Sequence, residues 1–251
     1  MSRLQPGLAW LTARAVAHRG LHDGVSIIEN TPSAVSAAVT AGYGVEVDLQ
    51  ITADGEAMVH HDDALGRLTN GEGPLAAMTA ADLKRIAFKQ TADRMMSLGD
   101  LLDLVGGRAT LLLELKSHWD GDRRLAERVC RILGGSTAPI AAMSFDPFQV
   151  AAVREQNPSL TRGIVAERWR RPAPGDKPEV RGIGRLAYDA AVLRGRPQFL
   201  AYHVKDLPAA GPLLARKMLG LPLLTWTVRT DDDRARAARW ADQMIFEGFR
   251  P

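Results

Sequence analysis

The sequence predicts an α/β chain whose parallel strands close into a barrel, and two observations carry that expectation. Strand-like and helix-like segments alternate from about residue 14 to the end, which calls for parallel strands joined by right-handed helical crossovers, and so many units favour closure over an open sheet. Nine strand candidates compete for eight barrel places, and one belongs to a hairpin whose two-residue turn cannot make a parallel crossover, so it is the extra strand. A length of 251 residues suits one such barrel or two smaller domains, and the even composition favours a single domain over 1–251.

Composition narrows the function classes. A formal net charge of +3 is too small to announce nucleic-acid binding, yet it suits an anionic small molecule. The first twenty residues carry Arg3 and Arg14 and lack a continuous apolar stretch, so no leader, no stable membrane insertion and a cytoplasmic location are expected. The single cysteine, Cys130, sits in the helical pattern Leu125, Val129, Ile132 and Leu133, which predicts a buried, inert thiol. Nothing in the pattern fixes a subunit number.

Residues 14–18 form a short strand candidate that runs into Arg19-Gly20, so titratable or cationic side chains stand where a strand ends. Thr31 can cap and Pro32 can open a helix with the stripe Val35, Ala38 and Val39, closed by Gly42. Val45, Val47, Leu49 and Ile51 then alternate with Glu46, Asp48 and Gln50, a period of two that turns both acids to one face. A solvated outer face and a barrel interior are both open for them. Asp54-Gly55 predicts a two-residue turn, which would set His61 opposite Asp48 on the returning strand. Residues 62–97, dense in turn formers and with one short helix starting near Thr79, read as a small insertion over the barrel mouth. Ser97 caps a helix that stops at Gly106-Gly107, and residues 110–116 read as a buried strand with Glu114 and Lys116 on one face, each needing a charged partner.

The alternation continues with helix 123–133, strand 140–145, helix 148–156 and strand 160–165. A loop over 166–185 contains the basic run Arg168-Trp169-Arg170-Arg171, read as a solvated loop with headgroup contact as the other option. Helix 188–193, strand 199–204, helix 213–219, strand 223–228, helix 231–240 and strand 243–246 complete the chain.

His18, Arg19, Glu46, Asp48, His61, Glu114 and Lys116 all fall at strand ends or at inward-capable positions, and a barrel would gather them at its C-terminal rim. Three carboxylates without cysteine make a hard, oxygen-rich site that suits one divalent cation, Mg²⁺ or Ca²⁺, better than zinc. Two histidines beside it can divide proton donation from proton removal.

The ordered set Ala17-His18-Arg19-Gly20, Glu29-Asn30-Thr31, Val45-Glu46-Val47-Asp48, His61-Asp62, Thr69-Asn70-Gly71, Glu114-Leu115-Lys116, Ser144-Phe145-Asp146 and Trp226-Thr227-Val228 resembles the glycerophosphodiester phosphodiesterase family over nearly the whole chain. The resemblance implies a TIM (β/α)8 barrel with an insertion after the second histidine. It implies Glu46, Asp48 and Glu114 as metal ligands, His18 and His61 as the acid–base pair, and Arg19 and Lys116 near the phosphate. The implied reaction is hydrolysis of deacylated phospholipids to an alcohol and sn-glycerol 3-phosphate, through a cyclic phosphate or by direct attack of water.

Of the adjacent histidines only His61 keeps the family's spacing to the following aspartate, so His60 should point away. Glu29 is expected to orient the neighbouring loop, and Trp226 is read as core or as a platform for glycerol. His203 is expected to be structural, with His22 and His118 at the surface. The last strand of many relatives ends in Thr-Asp, whereas this one reads Ile245-Phe246-Glu247-Gly248, and Arg229 follows Trp-Thr-Val where an asparagine is common; both positions face the region where the alcohol would lie. Three other readings stay open: a phospholipase D-like enzyme on a related headgroup diester, a Schiff-base aldolase on Lys116, which Glu114 disfavours, and an idle barrel that only binds phosphorylated ligands.

Overall fold

The computed structural model describes residues 7–168 and 185–251. Trp169, Arg170 and Arg171 of the basic run lie outside the described residues. The elements are β1 (Val16–Ala17), α1 (Pro32–Thr40), β2 (Gly44–Ile51), β3 (Ala57–Val59), α2 (Ala80–Arg85), α3 (Leu98–Val105), β4 (Leu111–Leu115), α4 (Arg124–Leu133), β5 (Ile140–Ser144), α5 (Pro147–Gln156), β6 (Thr161–Ala166), α6 (Arg185–Gly195), β7 (Phe199–His203), α7 (Ala210–Leu219), β8 (Leu223–Val228), α8 (Asp231–Trp240) and β9 (Gln243–Phe246). Because β1 pairs in parallel with both β2 and β9, the parallel strands close into a TIM barrel in the order β1-β2-β4-β5-β6-β7-β8-β9. β3 is the extra strand, antiparallel on the end of β2.

Strand alternation sorts the apolar side chains into two layers. Val45, Val47, Leu49, Leu111, Leu113 and Leu115 pack outward against α1, α3 and α4 through Val35, Ala38, Leu101, Val105, Leu125 and Val129. Leu112, Met143, Val165, Phe199, Leu224 and Ile245 fill the barrel, with Leu8 and Leu11 in the same cluster. The outward layer answers the question left by β2: its acids face in. Phe199 needs the space beside Gly163, where a Cβ would come within 2.4 Å of its ring. The expected helix starts at Thr31 and Ser97 are present, with Thr31 accepting from the Ala34 N–H and Ser97 forming a capping box with Asp100; Thr230 forms a further capping box with Asp233.

The hairpin departs from expectation. Leu49 pairs with Val59, Gln50 with Met58 and Ile51 with Ala57, a register one residue away from that of a two-residue turn. Thr52 closes a three-residue loop instead: its N–H donates to the Glu56 carbonyl (3.0 Å), its Oγ1 receives the Glu56 N–H (2.8 Å), and Gly55 takes φ 80°. The residue whose N–H reaches the Asp48 carbonyl is therefore His60, at 3.0 Å, and not His61. Beyond β3, Leu65, Leu75, Leu83, Phe88 and Met95 gather with Ile28 and Met58 into a small core of their own. Among the described residues no helix is long and apolar enough to cross a membrane.

Candidate active site

The turn after β1 supplies the first side chains. Arg19 has φ 55° and Gly20 φ 82°, a left-handed pair that reverses the chain; a Cβ on Gly20 would lie 2.7 Å from the Ala34 carbonyl carbon, so glycine lets the turn rest on α1. The turn aims the Arg19 N–H at Glu46 Oε2 (2.9 Å), and the guanidinium reaches Asp48 Oδ2 (3.1 Å) and Glu29 Oε1 (2.8 Å).

Parallel register sets the rest, since Asp48 and Glu114 are Cα partners across β2 and β4. One carboxylate oxygen from each of Glu46, Asp48 and Glu114 lies within 4.8 Å of the others. All three residues are buried. Lys116 Nζ bridges Glu114 Oε1 (2.5 Å) and Asp48 Oδ1 (2.8 Å), and Asn30 Nδ2 donates to Asp48 Oδ2 (2.8 Å). Burial and the neighbouring Asp48 push the Glu46 pKa up; Asp48 moves down despite burial, because Lys116 and Arg19 flank it.

Lys116 is also raised, as Asp48 and Glu114 outweigh its burial, and this withholds the neutral amine that a Schiff base requires. Glu46 Oε1 is sealed from solvent and accepts no hydrogen bond among the described residues. An all-oxygen donor set with one buried oxygen unspent fits a hard divalent cation.

Two imidazoles flank this cluster. His18 Nδ1 lies 2.6 Å from Glu247 Oε2, and Glu247 is held in turn by Arg229 at 2.8 Å. His61 Nδ1 lies 2.8 Å from Asp62 Oδ1, and Asp62 is held by Arg67 at 2.5 Å. His61 approaches Asp48 without strand pairing: Gln50, inward like the acids, donates from Nε2 to the carbonyls of His61 (3.0 Å) and Asp62 (2.6 Å), and the imidazole helps hold Asp48 ionised. Glu29 ties the two sides together, accepting from both Arg19 and Arg67.

His22 is a correction. Both of its ring nitrogens are sealed from solvent without a partner and burial lowers its pKa, with Glu247 and Glu29 the leading opposing charges. His22 as a whole is half-buried, and the adjoining exposed loop is tied by the Asp23 carboxylate, which accepts the N–H groups of Val25, Ser26 and Ile27. His118 is exposed as expected. His203 is satisfied by Asp206 (3.2 Å) and lies against Trp226, whose Nε1 donates to the Ala201 carbonyl (3.1 Å) and whose ring meets Phe145 edge-on. These aromatic residues line the arc from β5 to β8, opposite the charged arc. A second donor group there, Glu167, His203 and Asp206, has its histidine nitrogen already turned to Asp206. Cys130 is a buried thiol pushed up to about 11, consistent with an inert group.

Sequence reasoning missed Asn30, Asp62, Arg67 and His22 as members of this cluster, and it read Glu247 and Arg229 only as departures. The spacing of Asn30 one residue after Glu29 and of Asp62 after His61 was visible, and His22 and Arg67 lie close in sequence to His18 and Asp62; Glu247 and Arg229 come from far along the chain.

The family model of the glycerophosphoryl diester phosphodiesterase family matches residues 18–249. The chain belongs to this family. A glycerophosphodiester phosphodiesterase of Caldanaerobacter subterraneus subsp. tengcongensis is 28% identical over 160 residues, a match that covers 60% of this chain and 65% of that relative's length. Glycerophosphodiester phosphodiesterase 1 of Bos taurus is 24% identical over 251 residues, covering 88% of this chain and 73% of the relative. Among solved structures, an Oleispira antarctica phosphodiesterase in complex with the product sn-glycerol-3-phosphate superposes with a TM-score of 0.76 at 20% identity, over 94% of this chain and 92% of that one, a likeness of fold.

Proposed function

We propose that this phosphodiesterase-family chain hydrolyses glycerophosphodiesters, the water-soluble deacylated phospholipids, to sn-glycerol 3-phosphate and an alcohol. The observation that carries the reading is the meeting of three inward carboxylates within 4.8 Å of one another, flanked by two histidines that each keep one ring nitrogen on a carboxylate. Glu46, Asp48 and Glu114 would hold one divalent cation, which when bound neutralises negative charge on the phosphate.

Arg19 and Lys116 stay cationic and each spends only part of its donors on carboxylates, so both retain N–H groups for phosphate oxygens. One imidazole takes the proton of the attacking hydroxyl, either the glycerol 2-hydroxyl or water, as its oxygen bonds to phosphorus. The other gives a proton to the alcohol oxygen as the phosphorus–oxygen ester bond breaks. Where the glycerol 2-hydroxyl attacks, the cyclic phosphate so formed is opened by water with the two roles exchanged, one imidazole taking the water proton and the other protonating the departing 2-oxygen, which releases sn-glycerol 3-phosphate. The aromatic arc of Phe145, Trp226 and His203 suits the organic part of the substrate.

Hydrolysis of glycerophosphocholine and glycerophosphoethanolamine, followed by release of glycerol 3-phosphate, tests the reading. Turnover that disappears in EDTA and returns with Mg²⁺, Ca²⁺ or Mn²⁺ is expected; unchanged turnover in excess chelator removes the metal, and no turnover of any diester removes the substrate class.

A further inference from the structure

The last strand, whose end departs from the Thr-Asp common among relatives, delivers a side chain to the site. Ala17 of β1 pairs with Phe246 of β9, and the His18 N–H donates to the Phe246 carbonyl (2.9 Å), so the residues that follow leave the barrel side by side. Those residues are His18 and Glu247. Their side chains meet at 2.6 Å, with the imidazole 12% and the carboxylate 22% exposed. The Glu247 N–H is anchored on the Val228 carbonyl (3.0 Å), and Arg229 grips its carboxylate with Nε (3.2 Å) and Nη2 (2.8 Å).

An ionised carboxylate only accepts, so Nδ1 of His18 carries the proton in this pair and Nε2 is the ring atom left for chemistry. Glu247 is ionised: its pKa falls to about 2, since burial is outweighed by His18 and Arg229. Among the described residues Nε2 of His18 has no protein hydrogen-bond partner. The other flank repeats the arrangement independently, with Arg67 holding Asp62 and Asp62 holding Nδ1 of His61.

We infer that Glu247, clamped by Arg229, is a positioning residue for the reaction, fixing the tautomer and plane of the His18 ring so that Nε2 faces the substrate. This rests on the phosphodiesterase reading. Groups of this kind behind a catalytic or metal-bound histidine are typically worth 10–100-fold. A surface ion pair of Glu247 with Arg229 alone would move neither the ring nor the rate.

The experiment compares the full chain with E247Q, E247A and R229Q. Nitrogen-15 NMR of the His18 ring, which needs no turnover, should show the Nδ1–H tautomer in the unmodified protein at alkaline pH. Its titration midpoint should fall by about one to two units in E247Q, as a charge-assisted hydrogen bond is lost while Glu46, Asp48, Arg19 and His22 still surround the ring. With glycerophosphocholine, E247A should lower kcat about 10–100-fold with KM changed less than about threefold, and R229Q should lower it less. E247Q, which keeps the side-chain shape, carries the test if E247A lowers the melting temperature. An Nε2–H tautomer in the unmodified protein, or kcat within twofold for both Glu247 variants, overturns the inference. An unmodified chain that turns over no diester overturns the phosphodiesterase reading instead, and leaves the ring measurement to judge Glu247.

Discussion

Lys116 Nζ sits between Glu114 Oε1 and Asp48 Oδ1, at 2.5 and 2.8 Å, so one ammonium neutralises two carboxylates from neighbouring strands. Without it, Glu46, Asp48 and Glu114 would share a buried volume with Arg19 as the remaining cation in direct contact with an acid of that trio. Like charges at such range cannot all stay ionised cheaply.

K116Q should therefore destabilise the metal-free chain. Removing one partner from a buried pair costs about 3–5 kcal/mol, and the partial exposure of Lys116 puts the expected loss at the lower end of that range. Saturating Mg²⁺ or Ca²⁺ should restore more stability to K116Q than it adds to the unmodified chain. Urea unfolding with and without the ion reads both, and equal ion-induced gains would mean that the cation binds elsewhere.

H18A and H61A should each lower kcat with glycerophosphocholine by at least about 100-fold, the lower end for a well-positioned acid or base. Circular dichroism should show both variants folded, because neither ring is part of the apolar layers. A rate within tenfold of the unmodified enzyme in either variant would strip that histidine of its role.

The His18–Glu247 pair should leave a pH signature in stability. Burial lowers the His18 pKa, but Glu247, Glu46 and Asp48 outweigh it, so His18 rises above 6.5 against the opposing Arg19. A raised folded pKa contributes stability that is full below the unfolded value and is lost as pH climbs through the folded one. Glu247 works in the opposite sense, since its folded value of about 2 lies below 4.5: its contribution is full above 4.5 and fades as pH falls toward 2. The stability gap between the unmodified chain and E247Q should thus be widest between about pH 4.5 and 6.5 and narrow on both sides. A gap that stays constant from pH 4 to pH 9 would contradict the pairing.

G20A should cost about 1–3 kcal/mol, the range for a side chain forced into left-handed backbone, with the Ala34 carbonyl carbon 2.7 Å from the added Cβ as the further obstacle. Because Gly20 follows the residue whose N–H and guanidinium hold Glu46 and Asp48, the same change should weaken divalent-ion binding measured by calorimetry. Loss of stability with unchanged ion affinity would separate the turn from the site.

The strand–helix alternation, the caps at Thr31 and Ser97 and the inward-capable trio Glu46, Asp48 and Glu114 were legible because they depend on local periodicity and on side chains bonding within a few residues. The hairpin shows where such reasoning stops. Asp54-Gly55 favours a two-residue turn, but the Thr52 hydroxyl accepts from Glu56 and donates to Asp54, and that competing set of bonds shifted the register by one. His61 reached the site all the same, through the grip of Gln50 on the chain after β3, a contact that no pairing rule supplies.

By itself, then, the sequence determined a barrel of alternating units, the acidic and imidazole residues of the candidate site and the family, because those rest on spacing along one chain. Only the closed structure decided which face of β2 is interior, which carboxylate holds which imidazole, and that both ring nitrogens of His22 are sealed from solvent. Closing the barrel sets β9 beside β1, and so brings Glu247 against His18 across 229 residues of sequence. No periodicity encodes that contact, because it arises from the shear and register of strands that meet only when the ring is complete.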